Sequence, residues 1–251
     1  FTVMYPGTEF LMEAAGSVDC ARKITELGRS CDIMASADYT VIDQLLIPEY
    51  ASVNQPFAMN SIVIAYTEKS RKSDDITSEN WYRILLSPDV FYGRSDPNAD
   101  PCGYRTIFTL QLAERYYMGA DGKAPFQLRD FTEKDNRFIR PKEVDLLALL
   151  GSQAIDYMFI YKSIALQHGL LFIALPPEIN LGDSTIAELY ATAQLKIRGS
   201  KPGDSVLVKG TPITYSFTIP HNALNPELAK KFADFLTDPN GGQKILRSMG
   251  Q

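Results

Sequence analysis

Four places in this chain put a small or hydroxyl residue where the backbone enters a helix: Gly7-Thr8, Gly16-Ser17, Ser36-Ala37 and Asp100-Pro101-Cys102-Gly103. A helix N-terminus carries unpaired N–H groups and the positive end of the helix dipole. Several of them converging on one crevice would hold a small anion without any Arg or Lys. Taken singly, a serine at a helix start is a cap; the repetition is what points to an anion. Other chemistry is sparsely supplied. The three cysteines, Cys20, Cys31 and Cys102, show no C-x-x-C spacing, which disfavours a zinc site or a disulfide scaffold. A helix between Cys20 and Cys31 would hold them ~12 Å or more apart, beyond the roughly 7 Å a disulfide tolerates, so free thiols are expected. Neither histidine, His168 or His221, lies near a G-x-S-x-G nucleophile elbow. Cys102 opens a helix, a position that lowers a thiol pKa, but it has no evident base, and Asp100 beside it disfavours the thiolate.

The elements that would position these groups alternate between helix and strand. Phe1–Met4 reads as a short buried strand, and a chain opening this way reads as a mature fragment whose targeting segment has gone. Gly16-Ser17 opens a helix to about Leu27, with Val18, Ala21, Ile24 and Leu27 on one side. Ser17 is its expected N-cap and Gly28 its stop. Asp32–Ala35 is a strand, and Ser36-Ala37-Asp38 starts a helix to about Leu46. The recurrence of strand, turn and helix predicts α/β units around a largely parallel sheet. Further strands are expected at 61–66, 156–161, 171–175, 205–209 and 213–219, and at 186–197, where a helix running into a strand fits equally well. Helices are expected at 78–86, 104–117, 143–150, 225–236 and 240–249. A turn falls at 199–204, and 118–136 reads as polar and irregular. Trp81 sits in a first helical turn, where packing is its expected role.

The 251 residues are 45% apolar and 22% charged, an ordinary globular balance. No stretch approaches the ~20 apolar residues of a membrane span. With 25 Lys+Arg against 30 Asp+Glu the formal net charge is −5, which argues against a whole-chain nucleic-acid footprint. The strong strands Ile62–Tyr66 and Ile213–Ile219 bracket a middle block, as in a chain that leaves one lobe, builds a second and returns. Crevices between lobes are preferred ligand sites.

The run Glu13-Ala14-Ala15-Gly16-Ser17, then Arg22 to Arg29, then Ala35-Ser36-Ala37-Asp38-Tyr39, resembles the archaeal-type molybdate/tungstate-binding proteins, extracytoplasmic receptors of ABC importers. The resemblance continues through Asn80-Trp81-Tyr82, Asp96 to Arg105, Phe159 to Ser163 and Gln167-His168-Gly169, and covers nearly the whole chain. Asp-Pro-Cys-Gly-Tyr-Arg and Ile-Tyr-Lys-Ser are its most specific parts. It implies an α/β, two-lobed, periplasmic-binding-protein-like fold of class II, with the ligand in the cleft between lobes and a two-strand hinge. Lobe 1 would be 1–62 and 219–251, lobe 2 66–212, and the hinge strands about 62–66 and 213–219. The implied ligand is molybdate or tungstate, held by Thr8, Ser17, the Ala37 backbone and Tyr161, with Asp100 and Glu143 approaching the metal. The chain departs from the family in having Thr8 where Ser is usual, and in shorter segments between Thr8 and Glu13 and across Met118–Arg137. The resemblance further implies a monomer that docks on a membrane permease, works outside the cytoplasm on the cell surface or in the periplasm through an anchor absent from this chain, needs no cofactor and catalyses nothing.

Two carboxylates beside a dianion should repel it: at 4 Å and an effective dielectric of ~20, two unit charges cost ~4 kcal/mol. The arrangement makes sense if the carboxylate oxygens bond the central metal, which can expand from four toward six oxygen neighbours where sulfur cannot. The carboxylates would then discriminate against sulfate. Read without the resemblance, Asp100 is a turn residue before Pro101, and Glu143 is a first-turn helix charge beside Pro141. The alternatives are a receptor of the same fold for sulfate, phosphate or a chelated metal ion, and a Cys102-dependent enzyme.

Overall fold

The computed structural model describes residues 1–13, 15, 17–134, 136–198 and 205–251, so the turn expected at 199–204 and the Gly16 part of a proposed helix start lie outside the described residues. The chain divides into two compact units: residues 1–59, 213–249 and 251 form one, and residues 60–212 with 250 form the other.

Unit 1 begins with turns rather than the expected strand. Phe1–Met4 makes local turns, with Met4 and Tyr5 N–H groups both donating to the Phe1 carbonyl, and Val3 is 92% exposed. Phe1 and Phe10 instead place their rings against Phe232. Helix α1 (Ser17–Thr25) buries Ala21 and Ile24 as the spacing predicts. It ends where Gly28 takes φ +63° and the Arg29 N–H returns to the Lys23 carbonyl, the left-handed stop that glycine permits. That reversal brings Cys20 and Cys31 against one core of Ala21, Ile24, Met34, Val41, Ile42, Leu46 and Ala51. All three cysteines are free, as expected. Strand β1 (Met34–Ser36) leads to α2 (Tyr39–Leu45), which Asp38 caps by accepting from the Thr40 N–H at 3.0 Å. Strand β2 (Gln55–Met59) was not evident in the sequence. After the second unit the chain returns through β10 (Thr214–Thr218), which lies between β1 and β2 and is antiparallel to both. Helices α10 (Pro226–Thr237) and α11 (Gly242–Ser248) complete the unit.

Unit 2 holds β3 (Ile62–Tyr66), α3 (Trp81–Leu86), β4 (Tyr92–Ser95), α4 (Pro101–Tyr116), α5 (Leu128–Lys134), β5 (Ile139–Arg140), α6 (Asp145–Gly151), β6 (Tyr157–Tyr161), α7 (Lys162–Gln167), β7 (Leu171–Ala174), α8 (Pro177–Asn180), α9 (Ala187–Tyr190) and the hairpin β8 (Gln194–Arg198) and β9 (Ser205–Lys209). Its main sheet has the order β5-β4-β6-β3-β7. β5, β4 and β6 are parallel, whereas β3 is antiparallel to β6 and β7. The sheet is thus mixed rather than largely parallel, because the first strand of the unit inserts between β6 and β7 against their direction. The strands expected to form a hinge, 62–66 and 213–219, are each built into the sheet of one unit, β3 in unit 2 and β10 in unit 1. The chain instead crosses between the units at 59/60 and 212/213.

Both faces of the main sheet are covered, so β3 and β6 read as continuous apolar runs. Met158 and Ile160 join Val63, Ala65, Leu146, Leu150 and Ile155 on one face. Alternation sends Phe159 to the other, against fully buried Trp81, whose ring also meets Phe126 and Phe131. Trp81 is a packing residue, as expected. Phe131 belongs to α5, within the segment that reads as irregular. The structure differs there because one buried aromatic on a seven-residue helix leaves too little periodicity to detect.

Candidate functional site

The site is built where β4 hands over to α4. Asp100 is the N-cap of α4: its side chain accepts from the Cys102 N–H at 3.3 Å, and Pro101 occupies the first turn, where no N–H is needed. The helix start is pressed onto the preceding loop. A Cβ at Gly103 would sit 2.5 Å from the Asp96 carbonyl carbon and 2.6 Å from the Pro97 nitrogen, so only glycine fits. The other Asp100 oxygen accepts from the Glu143 N–H at 3.1 Å. One carboxylate therefore joins the α4 start to the turn before α6, and residues 43 apart in the chain are held together.

Glu143 lies in that turn and not in the first turn of a helix, since α6 begins at Asp145. Half-buried, it has its carboxyl pushed up to about 7, first by loss of hydration and then by the Asp100 charge. Such a pair repels itself at neutral pH in the absence of a cation or a high-valent centre. Cys102 is fully buried, its thiol faces the Phe159 carbonyl at 3.9 Å, and burial with the Asp100 and Glu143 charges pushes its pKa well up. This is the opposite of an activated nucleophile.

Tyr161 ends β6 and is 8% exposed. Its phenol oxygen accepts from Arg105 Nη1 at 2.7 Å. Burial pushes its pKa well up, opposed by the Arg105 charge, so the phenol is protonated. The residues that follow are anchored to the start of the unit. The Lys162 N–H donates to the Ser61 carbonyl at 2.9 Å, and Asn60 Nδ2 donates to Ser163 Oγ at 2.8 Å. Thus the Ile-Tyr-Lys-Ser run is a fixed corner.

In unit 1, Ser17 and Ala37 are brought together: the Ala37 N–H donates to Ser17 Oγ at 3.2 Å. Ser17 is therefore the first residue of α1 and bonds across to the β1–α2 turn, rather than capping its own helix. Thr8 does not join them in any hydrogen bond; its hydroxyl donates to the Tyr5 carbonyl at 2.9 Å. Among the described residues no cluster of three or more His, Cys, Asp and Glu could hold a resident metal ion.

Sequence reading missed the role of Arg105. The signal was present: α4 is buried along nearly its whole length, from Cys102 to Ala113, and Arg105 is the charge within that stretch. A buried arginine calls for a partner. Arg94 on β4 is likewise buried, with desolvation pulling its pKa down while Tyr92 and Asp96 oppose the shift.

Comparison with known proteins agrees with this architecture. A solute-binding protein of Petrotoga mobilis is 49% identical over 251 residues, covering 100% of this chain and 77% of that one. The molybdate/tungstate-binding protein WtpA of Pyrococcus abyssi is 43% identical over 259 residues, covering 96% of this chain and 74% of the relative. Among solved structures, the substrate-binding domain of a molybdenum ABC transporter from Clostridium difficile superimposes with a TM-score of 0.68 at 16% identity, over 99% of this chain and 88% of that one. At that identity the likeness concerns the fold, which is the class II α/β solute-binding fold expected from the sequence. The family model for bacterial extracellular solute-binding proteins matches residues 1–250, and the chain belongs to that family.

Proposed function

We propose that this protein is the extracytoplasmic receptor for a tetrahedral oxyanion of molybdenum or tungsten, which it delivers to the permease of an ABC importer. The observation that carries the reading is the Asp100–Glu143 pair. The two residues are tied together by the 3.1 Å bond from the Glu143 N–H to the Asp100 carboxylate, and Glu143 is pushed up to about 7, first by loss of hydration and then by the Asp100 charge. Sulfate, which carries no proton to donate to a carboxylate, gains nothing from such a pair. A hexavalent metal that accepts two further oxygen ligands turns the repulsion into bonding, and the pair then excludes anions whose central atom cannot expand. Tyr161 supplies a phenol donor in the same unit. Ser17, the Ala37 backbone and Thr8 are the proposed neutral donors of unit 1, with the Ala37 N–H and the Thr8 hydroxyl exchanging their acceptors in the ligand-free structure, Ser17 Oγ and the Tyr5 carbonyl, for oxygens of the anion. The names of the Pyrococcus relative and of the Clostridium structure support the choice of ligand.

The protein works as a monomer and is held at the membrane by an anchor. It has no catalytic step and no cofactor besides its cargo, and buried Cys102 is part of the packing under α4. Incubation with tungstate, desalting and elemental analysis should find about one tungsten per chain, retained in the presence of excess sulfate. Loss of tungsten on desalting, or its displacement by sulfate, would overturn the proposal.

A further inference from the structure

We propose that Arg105 is a positioning residue that fixes the polarity of Tyr161, so that the phenol acts only as a proton donor toward a bound oxyanion. A guanidinium has five N–H donors and no acceptor, whereas a phenol has one proton and can also accept. The 2.7 Å bond from Arg105 Nη1 to Tyr161 Oη therefore has one direction. The phenol oxygen receives, and its single proton is left for another acceptor. The geometry is locked. Arg105 is 5% exposed and Tyr161 8%. The guanidinium carbon lies 5.6 Å from the Tyr161 ring centroid and 5.9 Å from that of Tyr104, so the cation is flanked by two π faces.

The pairing also joins the two most specific runs of the sequence. Arg105 stands five residues after Asp100 on α4, and Tyr161 ends β6. A phenol free to rotate could present either its proton or a lone pair. One whose lone pair is engaged by Arg105 presents the proton, which suits a fully ionised oxyanion oxygen bearing only lone pairs and rejects an O–H at the same place.

This inference rests on the oxyanion reading, and the test separates the two. Tungstate affinity is measured by calorimetry for wild type, Tyr161→Phe, Arg105→Gln, Arg105→Lys and the Tyr161→Phe/Arg105→Gln double variant, each checked for folding by circular dichroism. A hydrogen bond to a charged group is worth roughly tenfold or more in affinity, so Tyr161→Phe and Arg105→Gln should each weaken binding about that much. Arg105→Lys, which keeps a cationic donor, should recover part of the loss. In the Tyr161→Phe background, Arg105→Gln should cost markedly less than in wild type. An equal cost in both backgrounds would overturn the proposal. A wild type that binds no tungstate would overturn the oxyanion reading itself. The polarity is then still read without ligand, from the Tyr161 Raman ring doublet taken as a difference against Tyr161→Phe. It should report a phenol oxygen that accepts a strong hydrogen bond in wild type and loses it in Arg105→Gln; an unchanged doublet would overturn the proposal.

Discussion

Asp100 uses its two oxygens for different tasks, one capping α4 through the Cys102 N–H and the other receiving the Glu143 N–H. Asparagine can keep one of these acceptors but replaces the other with a donor. Asp100→Asn and Glu143→Gln should therefore each weaken tungstate binding by about tenfold or more, and should weaken any sulfate binding less; a calorimetric comparison of the two anions checks this. Glu143 also makes ligand-free stability depend on pH. Its folded pKa of about 7 lies above the ordinary 4.5, so between those values the folded protein holds a proton that the unfolded chain has released. Stability gained from this group is full below about 4.5 and is lost as pH rises to about 7. The melting temperature of the ligand-free protein should fall across that window, and Glu143→Gln should remove that part of the slope. Asp100 and Tyr161 stand in runs of residues that resemble a known family, whereas Glu143 stands in none of those runs and is named only by what the resemblance implies. Arg105 sat in one of the same runs without a visible role, because its function depends on a partner 56 positions away.

At the level of elements, the start of α4 matters most. Its backbone rests on Asp96 and Pro97 with no room for a side chain at Gly103. Gly103→Ala should push the helix off that loop, costing about 1–3 kcal/mol of stability and displacing Asp100, and thermal melting together with tungstate titration would register both effects. On the same face of the sheet as Phe159, Trp81 is 0% exposed among aromatic rings. Trp81→Ala should cost about 3–5 kcal/mol, seen as a lower denaturant midpoint, because the cavity it leaves is walled by the sheet and by α5. Helices with caps and stops, such as α1 with Gly28 and α2 with Asp38, could be read from sequence. Strand direction could not. Ile62–Tyr66 has the composition of a strand buried on both faces, which is the same whether it runs with or against its neighbours. The β4 strand escaped notice because Tyr92-Gly93-Arg94-Ser95 is short and polar. A Cβ at Gly93 would press on the side-chain ends of Leu146 and Ile155, at 2.8 and 2.9 Å.

For the whole molecule, the division of the chain was visible as two strong strands bracketing a long middle block. The boundaries at 59/60 and 212/213 were displaced from those strands because each strand completes a sheet instead of bridging the units. The net charge of −5 excludes a broad basic surface for a polyanion but has no bearing on a small oxyanion held by neutral donors and by bonds to its own metal. Family membership places the chain among extracellular solute-binding proteins, and the fold alone does not choose the solute. The choice rests on the paired carboxylates, and the most direct test is to titrate the wild-type protein by calorimetry with tungstate and, in parallel, with sulfate. The account predicts saturable one-to-one tungstate binding, with sulfate weaker by roughly 100-fold or more, about 2.7 kcal/mol. Equal affinities for the two anions, or no binding of tungstate, would contradict it.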